Sequence, residues 1–154
     1  MNGPEFKLLP IGELSIHEEV DEAKVLELVH EIRRSGIVED PIWVAKGTHV
    51  ILNGHHRFRA LQALGAVLVP AWVFDYEGPH VTLDRWQPGP AIAKHEVIRR
   101  AKEGRPFPPK TTRHRLGIAL PHRPTPLGSI LPSLGAAAAP DAVTTAPPNG
   151  SPRR

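Results

Sequence analysis

With 154 residues and a formal net charge of +3, the chain is long enough for one domain with a proper core and hardly for two. It has no cysteine, so disulfides, thiolate nucleophiles and cysteine-based metal sites are excluded. Apolar runs such as Ala66–Trp72 are too short to span a bilayer, and no apolar signal region opens the chain, so a cytoplasmic protein without a membrane partner is expected.

Lys7–Ile11 reads as a short strand and Glu13–Glu19 as a loop. Asp21 is the expected N-cap of a helix in which Val25, Leu28, Val29 and Ile32 fall at i, i+3, i+4 and i+7, a single apolar stripe. Gly36 ends that helix, and Arg33 and Arg34 suit the negative end of its dipole. Pro41–Ala45 and His49–Leu52 form two strands of a hairpin around Lys46-Gly47. The second strand turns at Asn53-Gly54 into a helix with Phe58, Leu61 and Leu64 on one face, stopped by Gly65. Val67–Phe74 is a further strand, and its Pro70 implies an edge position or a strand that begins there. Val81–Trp86 is another strand, and Ala93–Glu103 a third helix ended by Gly104. Arg105–Leu116 has no clear period, and three prolines stiffen its start. From residue 131 onward small and polar residues and proline dominate, and a disordered tail is expected over 131–154. Short strands mixed with three helices make residues 1–130 a small α+β domain.

Charge is spread unevenly. Met1–Asp40 carries ten acidic against four basic residues, and Lys94–Arg123 nine basic against two acidic. A basic half suits an anionic ligand, either nucleic acid or a phosphorylated small molecule, and the plainer alternative is a solvated basic face.

Three stretches carry candidate chemistry. At the Gly54 turn, His55, His56 and Arg57 occupy the first turn of a helix, where the N–H groups have no backbone partner and Arg57 adds a cation. Such a junction suits a phosphate, although a plain strand-turn-helix would look the same. Lys110-Thr111-Thr112-Arg113-His114 gathers two hydroxyls, two cations and a histidine, which would suit a phosphate or an amino acid's carboxylate, or else be an exposed basic loop. His17-Glu18-Glu19 precedes the first helix, where a carboxylate either complements the helix dipole or serves as a general base. Trp86 could line a pocket, whereas Trp43 and Trp72 lie inside apolar strands and belong to the core. Adjacent His55 and His56 diverge and lack a second ligand pair, so they make no persuasive metal site. No P-loop pattern is present.

Asn53-Gly54-His55-His56-Arg57, followed by Ala60-Leu61 and Leu64-Gly65, resembles the Asp-Gly-His-His-Arg helix start of ParB/sulfiredoxin-like domains. Adding His17-Glu18 and Pro109-Lys110-Thr111-Thr112-Arg113-His114 in the same order, with Trp86 between, narrows the resemblance to the free serine kinases of that superfamily, of the archaeal ADP-dependent and siderophore-pathway kinds. It covers about Leu8–Leu127. It implies phosphorylation of free L-serine to O-phospho-L-serine with ATP or ADP as donor and Mg²⁺ as charge neutraliser. It also implies catalytic roles for Glu18, Asn53 and His55, with Glu18 as the carboxylate at the serine hydroxyl. Gly54, His55, His56 and Arg57 would hold nucleotide phosphates, and Trp86, Lys110, Thr111, Thr112, Arg113 and His114 would shape the serine side. Two departures stand out: Asn53 replaces the family's acidic residue, losing a negative charge, and the stretch from Trp86 to Lys110 is short beside the archaeal enzyme. Sulfiredoxin chemistry is excluded because its essential cysteine is absent.

A rival reading is a ParB-like nucleotide-binding, DNA-binding or regulatory module without kinase activity. Against it, the place for a helix-turn-helix is rich in proline, which is strongly disfavoured inside helices. A third is a kinase-like fold, inactive through Asn53, that only binds serine or nucleotide.

Overall fold

The structure, a computed structural model, describes residues 3–132. Its elements in chain order are β1 Glu5–Pro10, α1 Glu22–Ser35, β2 Ile37–Val38, β3 Ile42–Ala45, β4 Ile51–Asn53, α2 His55–Ala63, β5 Leu68–Phe74, β6 Val81–Arg85, α3 Lys94–Glu103, β7 Thr112–Leu116 and β8 Thr125–Pro126. Four strands make a mixed sheet in the order β1-β5-β3-β4, in which only β3 and β5 run parallel. β2 pairs with β8, and β6 with β7, as two separate antiparallel ribbons. The expected α+β class with three main helices is what is observed.

Side chains alternate across a strand, and both faces of this sheet are covered. β3 sends Ile42 and Val44 to one face, and β5 sends Val69, Ala71 and Val73 to the same one. There they meet Val25, Val29 and Ile32 of α1 and Phe58, Ala60 and Leu61 of α2. The opposite face carries Ala45, Trp72 and Phe74, packed with Val81 of β6, Val97 of α3 and Phe107. Strands buried on both sides need apolar residues at every position, which is why Ile42–Ala45 and Leu68–Phe74 read as unbroken apolar runs.

α1 follows its sequence cues. The Asp21 side chain accepts from the Ala23 N–H at 3.0 Å, and Gly36 closes the helix at φ 74° with its N–H on the Ile32 carbonyl. Gly54, at φ 100°, lets β4 turn directly into α2, and a Cβ there would lie 2.6 Å from Ile42 Cγ2.

Two expectations are corrected. Pro70 neither begins β5 nor marks an edge: it sits opposite Leu8 within an internal strand. The ladder to β3 starts one residue later, at Ala71, so Pro70 stands beyond that pairing. Residues Thr112–Leu116, inside the stretch without a period, form β7, because β6 supplies the pairing partner that local sequence does not announce.

Glu13–Glu19, expected as a loop, is threaded between two parts of the fold. Ser15 bridges Val50 and Glu18 bridges Phe107. The Phe107 N–H donates to the His17 carbonyl and the Glu19 N–H to the Phe107 carbonyl, both at 2.8 Å. This pairing carries Glu18 to the turn before β7. No helix among the described residues is long and apolar enough to cross a membrane. Most of the tail expected to be disordered, residues 133–154, lies outside the described residues.

Gly54→Ala meets both a positive φ and Ile42, so it should lower the free energy of urea unfolding by about 2–4 kcal/mol. Asp21→Ala, which loses one cap hydrogen bond, should cost about 1 kcal/mol. Equal losses in the two variants would contradict this account of the β4–α2 turn.

Candidate active site

Glu18 is half-buried and held by three donors from one turn. Its Oε1 accepts from the Thr112 N–H at 2.8 Å and from Thr112 Oγ1 at 2.7 Å, and its Oε2 accepts from the Lys110 N–H at 3.0 Å. A carboxylate offers about four lone-pair positions, so Oε2 retains capacity for one more partner. Lys110 reaches this arrangement at φ 59°, one of two non-glycine residues at positive φ among those described. The Thr111 hydroxyl donates to the Pro108 carbonyl at 2.7 Å and so fixes the turn.

Beneath Glu18 lies a group of buried histidines. His17 has no exposed surface. Its Nδ1 donates to the Ile51 carbonyl at 2.7 Å, its Nε2 lies 2.9 Å from Thr112 Oγ1, and its backbone N–H donates to His55 Nε2 at 3.2 Å. The His55 and His114 rings stand edge-on to it at 4.5 and 5.5 Å. Burial pushes His17 down to about 4, with the Ile51 carbonyl opposing. Burial, with His17 adding to it, takes His114 down to about 3. Burial first, then the neighbouring histidines, holds His55 well below its usual value. All three are therefore neutral at pH 7. The Tyr76 hydroxyl, whose pKa burial raises, remains a phenol and donates to His114 Nε2 at 2.8 Å.

Beside this group is the N-terminus of α2, which has no side-chain cap. Its first helical hydrogen bond is from the Phe58 N–H to the Gly54 carbonyl, leaving the N–H groups of His55, His56 and Arg57 outside the helical ladder. His56 Nε2 accepts from the Asp21 N–H at 3.1 Å, tying α2 to the start of α1. Part burial lowers the pKa of His56, Lys24 adding to the effect, while Glu18 and Lys110 also act on it. Glu18, Lys110 and the helix start thus share one neighbourhood.

The residues expected to line the site are sorted by burial and by the pleat of β7. Thr112 and His114 point inward; the intervening Arg113 stacks on exposed Trp86 at 4.6 Å. A shallow hollow of about 480 Å³ lies along Leu83, Arg85, Trp86 and Ile92, and neither Glu18 nor α2 lines it. His55 turns its ring inward, where its Nε2 accepts from the His17 N–H, and so brings no charge to the helix start. Arg57 is largely enclosed: burial lowers its pKa, while Asp40 and Glu31 oppose. Asn53 ends β4 with its side chain exposed. Among the described residues no cluster of three His, Asp or Glu side chains could hold a metal ion.

Three contributors were absent from the expected site. His17 falls out of step with the alternating Leu14 and Ile16, so no period in the sequence signals its burial. Phe107 is a lone aromatic between two prolines, a hint of an anchor. Tyr76 carries no such signal.

A model of the ParB N-terminal domain family matches residues 5–82. The ATP-dependent L-serine kinase of Desulfurococcus mucosus is 38% identical over 86 residues, covering 53% of this chain and 34% of that protein. The ADP-dependent L-serine kinase SerK of Thermococcus kodakarensis is 27% identical over 103 residues, covering 64% of this chain and 43% of that protein. The chain therefore spans less than half the length of these curated relatives. Among solved structures, a free serine kinase in complex with AMP shares the fold at a TM-score of 0.74 and 18% identity, covering 84% of this chain and 94% of that one.

The buried histidines give stability a definite pH dependence. Their folded pKa values lie below 6.5, so the unfolded chain binds protons that the folded one does not. Stability should be fully present above pH 6.5 and fall as the pH drops through about 4 and about 3. Urea midpoints between pH 7 and 4 check this, and a midpoint that stays flat over that window would contradict the buried, neutral cluster.

Proposed function

We propose that this chain, which belongs to the ParB N-terminal domain family, moves the terminal phosphoryl group of ATP or ADP onto the hydroxyl of free L-serine. The observation that carries the reading is Glu18: a carboxylate fixed by three donors, with capacity left on Oε2, beside an uncapped helix N-terminus. The curated relatives support it, being named L-serine kinases that use ATP in one case and ADP in the other.

Phosphoryl transfer requires in-line positioning, donors for the phosphoryl oxygens and a base at the nucleophile. Glu18 Oε2 takes the serine hydroxyl proton. The N–H groups of His55, His56 and Arg57 hold the nucleotide phosphates at the positive end of α2. Gly54 permits the turn that sets this helix start, since a Cβ there would strike Ile42. Exposed Lys110 supplies mobile positive charge beside Glu18, and Arg113, stacked on Trp86, offers a guanidinium for the amino acid's carboxylate. Mg²⁺ fits as an ion carried by the nucleotide, because the described residues form no protein cage, and it would neutralise phosphate charge. The enzyme would act in the cytoplasm.

Incubation with L-serine, Mg²⁺ and either ATP or ADP should give O-phosphoserine by phosphorus NMR. Glu18→Gln should lower kcat by about a hundred- to ten-thousand-fold, the usual reach of a positioned general base. Absence of product with both donors would overturn the kinase reading in favour of a nucleotide-binding module.

A further inference from the structure

The contacts around Glu18 contain one hydrogen too few. Thr112 Oγ1 lies 2.7 Å from Glu18 Oε1 and 2.9 Å from His17 Nε2. A hydroxyl has one hydrogen to donate. His17 cannot supply another: its Nδ1 hydrogen goes to the Ile51 carbonyl at 2.7 Å, so the neutral ring presents a bare lone pair at Nε2. Glu18 as a carboxylate and His17 as a neutral imidazole therefore compete for the same hydrogen, and the charge on Glu18 decides the contest.

We propose that Thr112 is a hydrogen-bond switch and His17 its second terminal, so that the hydroxyl donates to Glu18 while Glu18 is a carboxylate and turns to His17 Nε2 once Glu18 is protonated. This rests on the kinase reading for its catalytic use. As the serine oxygen bonds to the donor's terminal phosphorus, the bond from that phosphorus to the bridging oxygen breaks, and the electron pair leaves with the nucleotide. The serine proton goes to Glu18 Oε2. Oε1 becomes a carbonyl oxygen, a weaker acceptor that keeps the Thr112 N–H, and the hydroxyl moves to the imidazole. A threonine serving Glu18 alone would stabilise only the carboxylate and so weaken the base. The waiting lone pair of His17 stabilises the protonated state as well. Thr112 and His17 are thus positioning residues that act through Glu18.

The surroundings keep His17 ready to accept. It faces His55 from α2 and His114 from β7, both neutral, and reaches the Glu18 carboxylate through Thr112. His56 and Lys110 lie on the Glu18 side of the threonine.

Nitrogen-15 NMR of the histidine rings at pH 7 reads the switch without turnover. His17 should carry its hydrogen on Nδ1, and its Nε2 signal should move upfield, toward the hydrogen-bonded position, when Glu18→Gln removes the charge. In the Glu18→Gln, Thr112→Val double variant that movement should be lost, and Thr112→Ser in place of Thr112→Val should restore it. An Nε2 signal identical with and without the Glu18 charge, or a hydrogen found on Nε2, would overturn the proposal, whether or not the wild-type chain makes phosphoserine. In turnover, Thr112→Val should lower kcat on the order of tenfold with KM for serine little changed, and Thr112→Ser should recover most of it. Unaltered kcat in Thr112→Val would equally overturn it.

Discussion

A neutral histidine with no exposed surface ties its own segment to two stretches far away in sequence, one from Ile51 to His55 and the other from Phe107 to Thr112. His17 donates from its ring to β4 and from its backbone to the first residue of α2, meets the Thr112 hydroxyl of β7, and accepts at its carbonyl from Phe107. Burying an imidazole is costly unless its polar atoms are matched, and here each has a partner within 3.2 Å. The same burial keeps the ring uncharged and places Glu18, the next residue, at the surface end of the group. Displacing His17 would release the strand-like segment that carries Glu18, so the fold and the site depend on the same contacts.

The turn before β7 completes the arrangement at a local cost. Lys110 adopts a left-handed conformation that a side chain disfavours by about 1–3 kcal/mol. What holds it is the Glu18 carboxylate, which accepts from the N–H groups on either side of Thr111, and the Thr111 hydroxyl, which closes back on Pro108. The flanking prolines restrict the chain beforehand, and Phe107 between them anchors the segment in the core beneath α3. Rigidity of this kind suits phosphoryl transfer, where the protein contributes placement more than covalent chemistry.

Features set by neighbours in sequence were legible. The Asp21 cap, the α1 stripe, Gly36 and the Gly54 turn into α2 each have local causes, and each is present. Features set by pairing across the chain were not. β7 has no period of its own and exists because β6 lies beside it. Pro70 signals an edge by its missing N–H, yet it fits an internal strand because the neighbouring ladder starts at the next residue. The candidate site divides along the same line. Glu18, the α2 start and Lys110–His114 could be picked out as polar clusters, whereas their sorting by burial and by the pleat of β7 could not. His55 shows the difference most clearly, since the residue type suggests charge and burial removes it.

The central claim is that two separate backbone elements, the start of α2 and the turn before β7, serve one reaction. Amide NMR with ADP added first and L-serine second tests it most directly. The account predicts that ADP shifts the N–H signals of His55, His56 and Arg57, and that serine, added to the ADP-bound protein, then shifts those of Lys110 and Thr112. ADP shifts that bypass the α2 start, or serine shifts that leave the Glu18 turn untouched, would contradict it.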